Sequence, residues 1–174
     1  PGAVYVIEGQ SNNTIANYTI GNGGGTVVSV AKINDNNYSD IIVLSYYGVY
    51  ALEYDETKPD KLTKLWETNE GRLDGGAVIF DIDRNNEYDI IYLSSGANCA
   101  AGETCYNQLH IRDKDGDNKT NAIDLDVYPL ATPAVANVDS DSNYEVILIG
   151  GTTQNWQIDP GQIEIYDASS WTLE

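Results

Sequence analysis

Short apolar runs separated by polar, turn-forming residues recur along the whole chain, and no eleven-residue window sustains a helical period. The stretches AVYVIEG (3–9) and TIANYTI (14–20) predict two strands. Strands are then predicted at 27–33, 40–45, 49–54 and 61–67, at 77–82, 89–94, 107–113 and 121–128, and at 134–138, 145–149 and 162–166, with a last one beginning near Trp171. Fourteen strands in this order make an all-β chain of three and a half four-stranded units. The second strand of each full unit, IIVL, IIYL or VILI, is wholly apolar, as expected of an inner strand.

Self-similarity gives these strands an architecture. Residues 31–44 read AKINDNNYSDIIVL, residues 80–93 FDIDRNNEYDIIYL and residues 136–149 ANVDSDSNYEVILI, at offsets of 49 and 56 residues. Each copy is a hairpin whose turn is made of carboxylates and amides. Four-stranded antiparallel units of this length fit the blades of a β-propeller. The expected layout is one partial propeller domain over 1–174, with a half blade at 1–22 and blades at 23–70, 71–130 and 131–174. Since closed rings take about four to eight blades, the chain is expected to be part of a larger, roughly seven-bladed ring. The remaining blades would come from a longer parent chain or from another chain.

The three hairpin loops resemble the FG-GAP or VCBS repeats of integrin-α-like propellers, in which Asp-x-Asp-x-Asp-Gly-x-x-Asp precedes an apolar strand. Neither the Phe-Gly nor the Gly-Ala-Pro landmark is intact, Gly75-Gly76-Ala77 being the nearest approach, and Asn37, Asn86 and Ser142 stand where the loop glycine belongs. Asn tolerates the left-handed backbone better than Ser does. The resemblance implies a calcium-stabilised propeller, secreted or on a cell surface, used in adhesion or carbohydrate recognition.

Calcium takes six to eight hard oxygens, which a loop with ligands at alternate positions supplies. In the second loop the expected ligands are Asp81, Asp83, Asn85 and Asp89, with the Glu87 carbonyl; in the third they are Asn137, Asp139, Asp141 and Glu145, with the Asn143 carbonyl. The first loop has Lys32 where the leading carboxylate belongs. Either Asn34, Asn36, Asp40 and the Tyr38 carbonyl hold an ion there, or the Lys32 ammonium replaces it. The alternative for all three is a set of Asx-turns without metal. Asp113, Asp115, Gly116 and Asp117 form a further acidic run, read as a solvated hairpin turn because it follows a third strand.

Charge narrows the partners. Nine Lys and Arg against 27 Asp and Glu leave a net charge of −18, which excludes a phosphate-neutralising surface and so nucleic acid. No apolar run reaches the ~18–20 residues of a membrane span. The chain opens at Pro1 and has no Met, which suggests a processed protein or a piece of a longer one. Cys99 and Cys105, in a loop rich in small residues, are expected to form a disulfide. Sequons at Asn12, Asn17, Asn37 and Asn118 point the same way, to an extracellular glycoprotein.

No nucleophile elbow or phosphate-binding loop is present, and His110 reads as an ordinary strand histidine on one face with Arg112. The expectation is therefore a non-catalytic recognition, adhesion or surface-assembly module, with a calcium-rich polysaccharide lyase of the rhamnogalacturonan type as the alternative. In an up-and-down meander, first-to-second and third-to-fourth turns share one end. That end carries the acidic loops. The opposite end, with Tyr46, Tyr47, Tyr106 and Trp156, is the expected face for a protein or carbohydrate ligand.

Overall fold

The computed structural model describes residues 2–21, 27–46, 48–70, 72–73, 75–96, 107–129, 131–151 and 161–174. Among these, fifteen strands form four antiparallel sheets, with no helix and hence none long and apolar enough to cross a membrane. The first sheet is the hairpin of β1 (Gly2–Ile7) and β2 (Thr14–Ile20). The second is a four-stranded meander of β3 (Val27–Ala31), β4 (Asp40–Ser45), β5 (Gly48–Tyr54) and β6 (Leu62–Glu67). In the third, β9 (Asp89–Ser95) lies between β10 (Asn107–Arg112) and the short strands β7 (Arg72–Leu73) and β8 (Val78–Phe80), with β11 (Ile123–Leu125) outside β10. The fourth places β14 (Glu145–Gly151) between β15 (Gln162–Asp167) and the pair β12 (Tyr128–Pro129) and β13 (Ala134–Ala136).

The all-β expectation and most strand positions hold, with one systematic correction. The third and fourth sheets each gain a short strand ahead of the expected first one. Residues 72–73, read from sequence as part of an inter-unit link, pair with Ser95 and Ser94, and residues 128–129, read as the end of a fourth strand and such a link, pair with Gly151 and Gly150. The segments that follow these two short strands meet each other. Gly75 adopts φ +97°, where a Cβ would lie 2.9 Å from the Ala131 carbonyl carbon, and the Gly76 N–H donates to Thr132 Oγ1 at 2.8 Å. Only glycine fits both that backbone and that approach. The last expected strand shrinks to a single bridge between Tyr166 and Leu173.

The inner strands β4 and β9 each divide their side chains between two neighbours because successive residues point to opposite faces. Ile41 and Val43 of β4 pack with Val4, Ala16 and Ile20 of the first hairpin, whereas Ile42 and Leu44 pack with Leu73, Ala77, Ile90 and Tyr92. On β9 the other face, Ile91 and Leu93, joins Val146, Leu148 and Tyr166. Every such aliphatic side chain contributes about 1.5–3 kcal/mol of burial, so the sheets are held by apolar seams on both sides of their inner strands. On β14 the pattern continues in sequence but not in burial. Ile149 is 53% exposed and its cross-strand partner Ile163 67%, although the matching positions Leu44 and Leu93 are 1% exposed.

Candidate metal centres

The three acidic loops share one construction. The carboxylate opening each second strand, Asp40, Asp89 or Glu145, is 0% exposed. One of its oxygens accepts a backbone N–H from seven residues upstream: Ile33 to Asp40 at 3.1 Å, Ile82 to Asp89 at 3.1 Å and Val138 to Glu145 at 2.6 Å. This bond closes the loop. Burying a carboxylate is costly unless its remaining oxygen also finds a partner, and the loops differ in what that partner is.

In the first loop the partner is an amide. Asn34 Nδ2 donates to Asp40 Oδ1 at 3.1 Å and Asn36 Nδ2 to Glu53 Oε1 at 3.0 Å, while the Asn34 and Asn36 side-chain oxygens accept the N–H groups of Asn36 and Tyr38. Burial pushes Asp40 above the ordinary carboxylate range, against the hydrogen bonds that lower it. Lys32 is exposed. The part considered for its ammonium falls to the Asn34 amide, which is shorter and already inside the loop.

In the second loop the partner is a cation from elsewhere in the chain. Lys119 Nζ lies 2.7 Å from Asp89 Oδ1 and 2.6 Å from Asp83 Oδ2. Asp81 faces the loop backbone, accepting from the N–H groups of Asn85 and Asn86 at 2.9 Å each, and Asn85 Oδ1 accepts from the Glu87 N–H. Asp81, Asp83 and Asp89 can each bring an oxygen within 4.8 Å of the others. Burial raises Asp89, opposed by Lys119 and the Ile82 N–H. Asn86 adopts the left-handed backbone expected of it at φ 67°, and so does Arg84 at 61°. Asn37 and Ser142 keep negative φ, so the glycine-like turn belongs to this loop among the three.

In the third loop the remaining oxygen has no hydrogen-bond partner among the described residues. Glu145 Oε1 is buried and unbonded. Around it stand Asp139 and Glu174 in one group and Asp141 and Asp167 in another, each group with oxygens within 4.8 Å of one another. Asp167 is the register partner of Glu145 across β14 and β15. Hydrogen bonds from the Ser169 hydroxyl and the Ser169 and Ser170 N–H groups hold its carboxyl down at about 2. Glu174 is pushed up by desolvation and by the field of Asp139, Glu145, Asp167 and Asp141. Asn143 Nδ2 bridges Asp141, Asp167 and Ser169. The Asn137 amide donates to the Asp141 and Asn143 carbonyls at 2.9 and 2.8 Å.

Sequence reasoning missed Asp167, Glu174 and Lys119. A segmental charge count would have found the first two, because residues 120–174 contain nine acidic residues and no Lys, Arg or His. The DKDGD run is a hairpin turn as expected. Asp113 Oδ1 accepts the Asp115 and Asp117 N–H groups, and the turn docks on Trp66, whose Nε1 donates to the Lys114 carbonyl at 2.7 Å.

The predicted shared end is observed: Lys119 and Lys114, both on the turn after β10, reach Asp83, Asp89 and Glu87 of the loop before β9. Asn12, Asn17, Asn37 and Asn118 are all exposed. Of the ligand-face residues expected at the other end only Tyr46, partly exposed, is described; Tyr47, Cys99, Cys105, Tyr106 and Trp156 lie outside the described residues, and the disulfide with them. His110 is 7% exposed, stacked 5.0 Å from Tyr92 and 2.8 Å from Ser94 Oγ. Arg112 on the same strand bonds Tyr92 Oη, the Gly116 carbonyl and Glu70. Burial lowers the His110 pKa, and this cluster ties the second sheet's exit to the third sheet. The chain matches no protein-family model, no curated protein and no solved structure.

Proposed function

We propose that this chain is a non-catalytic, extracellular, calcium-stabilised β-propeller module for adhesion, recognition or surface assembly. The observation that carries the calcium reading is Glu145 Oε1, buried without a partner among Asp139, Asp141, Asp167 and Glu174. A stretch with no basic residue cannot neutralise these groups from within, so a divalent cation is the economical counter-ion. The donors are hard oxygens on a loop and two neighbouring segments, which suits the large, flexible shell of calcium better than the tight octahedron of magnesium. Asp139, Asp141, Glu145 and Asp167 would hold the ion, with Glu174 closing the site.

The propeller reading is supported by the threefold repeat and by the way β4 and β9 each serve two neighbouring sheets. Ile149 and Ile163 occupy the face that a following blade covers on the two preceding sheets. Such a blade would come from a parent chain or another chain. The ligand, protein or carbohydrate, would sit at the end bearing Tyr46, away from the acidic loops.

Calorimetry tests the calcium reading. Calcium at about a hundred times its Kd adds about 2.7 kcal/mol of stability, which raises the Tm of a domain this size by about 5–10 °C over the chelated protein. An unchanged Tm together with no heat of binding overturns it.

A further inference from the structure

We propose that Lys119 is a built-in counter-ion of the second loop and decides which acidic loop a metal ion fills. The inference rests on the calcium reading of the third loop and concerns a residue that lies outside every loop. Lys119 reaches back 30 residues to place Nζ 2.7 Å from the fully buried Asp89 and 2.6 Å from Asp83. These are two of the three carboxylates able to converge on one point in that loop. An ammonium at that point supplies the positive charge that a divalent ion would bring, and it is already tethered, so no free ion has to be captured.

The tether is itself fixed. Lys119 N–H donates to the Ile111 carbonyl at 3.0 Å, and its neighbour Asn118 bridges to Arg112. Gly116, at φ +86°, packs the turn against the Trp66 ring. The ammonium, opposed by partial burial, is held above its ordinary value by hydrogen bonds to Asp83 and Asp89. A metal ion entering the second loop must expel this charge or bind beside it, and two cations sharing Asp89 repel. Among the described residues no cation pairs with a carboxylate of the third loop, Arg84 lying instead over the Tyr144 ring at 4.4 Å. The loop whose Asp spacing best matches a calcium site is therefore the one that is self-neutralised.

The test is calcium titration by calorimetry of the wild type, Lys119→Met, Glu145→Gln and the double variant, with circular dichroism to confirm folding. Met keeps the length of the Lys stem and removes the charge. The wild type is expected to take up one ion, Lys119→Met two, Glu145→Gln none, and the double variant one. The ion gained is expected to bind on the order of tenfold or more tighter than any weak uptake at the second loop of the wild type. The inference is overturned if the double variant takes up no calcium, if Lys119→Met gains no ion, or if Glu145→Gln alone still binds one ion at the second loop. Failure of the calcium reading looks different: the wild type then takes up none, while the gain in Lys119→Met is read separately. Should Lys119→Met fold only with calcium present, that rescue, absent in a Lys119→Met, Asp83→Asn protein, supports the inference.

Discussion

Asp89 and Glu145 open equivalent strands, are equally buried, and accept the same loop-closing N–H, yet one has its second oxygen on an ammonium and the other has it on nothing. The loops diverge outside the repeat. The turn beside the second loop carries Lys119, whereas the corresponding turn beside the third, ASSWTLE after Asp167, supplies serines and another carboxylate. A repeat thus fixes where a buried carboxylate sits, while a neighbouring turn decides how its charge is met.

The sharpest way to break this comparison is to neutralise the two carboxylates in metal-free protein, where a loss of stability is expected from one and none from the other. Asp89→Ala removes a hydrogen-bonded buried carboxylate and leaves Lys119 with only exposed Asp83, a loss of about 2–4 kcal/mol. Glu145→Gln keeps an oxygen for the Val138 N–H, removes a charge with no counter-ion, and gives its new N–H donors acidic acceptors on every side. Its metal-free Tm is expected to match or exceed that of the wild type. Chemical denaturation in chelator reads both. If Glu145→Gln is destabilised as much as Asp89→Ala, the two carboxylates are equally satisfied and the distinction between the loops is gone.

A smaller effect comes from loosening the Lys119 turn. Gly116→Ala forces a side chain onto a left-handed backbone and into the Trp66 ring, 2.7 Å away. The expected cost is about 1–3 kcal/mol. With the arm displaced, the variant is also expected to bind calcium more readily at the second loop. Trp66→Ala, which removes the docking surface but leaves the glycine, should move calcium uptake in the same direction. Unchanged uptake in both would detach the turn's position from the loop's charge balance.

The strands were legible because IIVL, IIYL and VILI are apolar without alternation, as inner strands are, although the outward face of VILI, at Ile149, is exposed. The turn-rich links between units were legible as links, but not that residues 72–73 and 128–129 add short strands beside β9 and β14, nor that Gly75 and Gly76 meet Ala131 and Thr132 of the next sheet. Ligand spacing alone favoured the second loop. It could not register Lys119, which enters from a different turn, although the rule placing alternate turns at one end of a meander puts that turn beside the loop. The left-handed backbone was legible at Asn86 but did not extend to Asn37 and Ser142, although their loops make the same side-chain bonds to the backbone as the second loop does. Asp167 became a site residue through register with Glu145, a relation between strands that no local motif records.

The smallest predicted effect asks whether a lack of basic residues is costly by itself, away from any ion site. Glu164, on β15 in the same base-free stretch, is 6% exposed and accepts the Tyr166 hydroxyl at 3.0 Å. Burial foremost pushes its carboxyl above the ordinary 4.5, the Tyr166 bond opposing this and Asp126 adding to it. A raised folded-state value means that the stabilising share of this group is fully present below its unfolded pKa and is lost as pH rises through the folded one. Ionised Glu164 is therefore a burden at neutral pH. Glu164→Gln keeps an acceptor for Tyr166 and removes the charge, so its Tm should equal the wild-type value below about pH 4.5 and exceed it by about 2–4 °C at pH 7–8, the shift produced by ~1 kcal/mol. The gain should be the same in calcium and in chelator, in contrast to Glu145→Gln, whose advantage disappears when calcium is added. A gain that vanishes with calcium would place Glu164 in the ion's field, whereas no gain at any pH would mean that Tyr166 alone suffices and that missing cations matter only where carboxylates crowd.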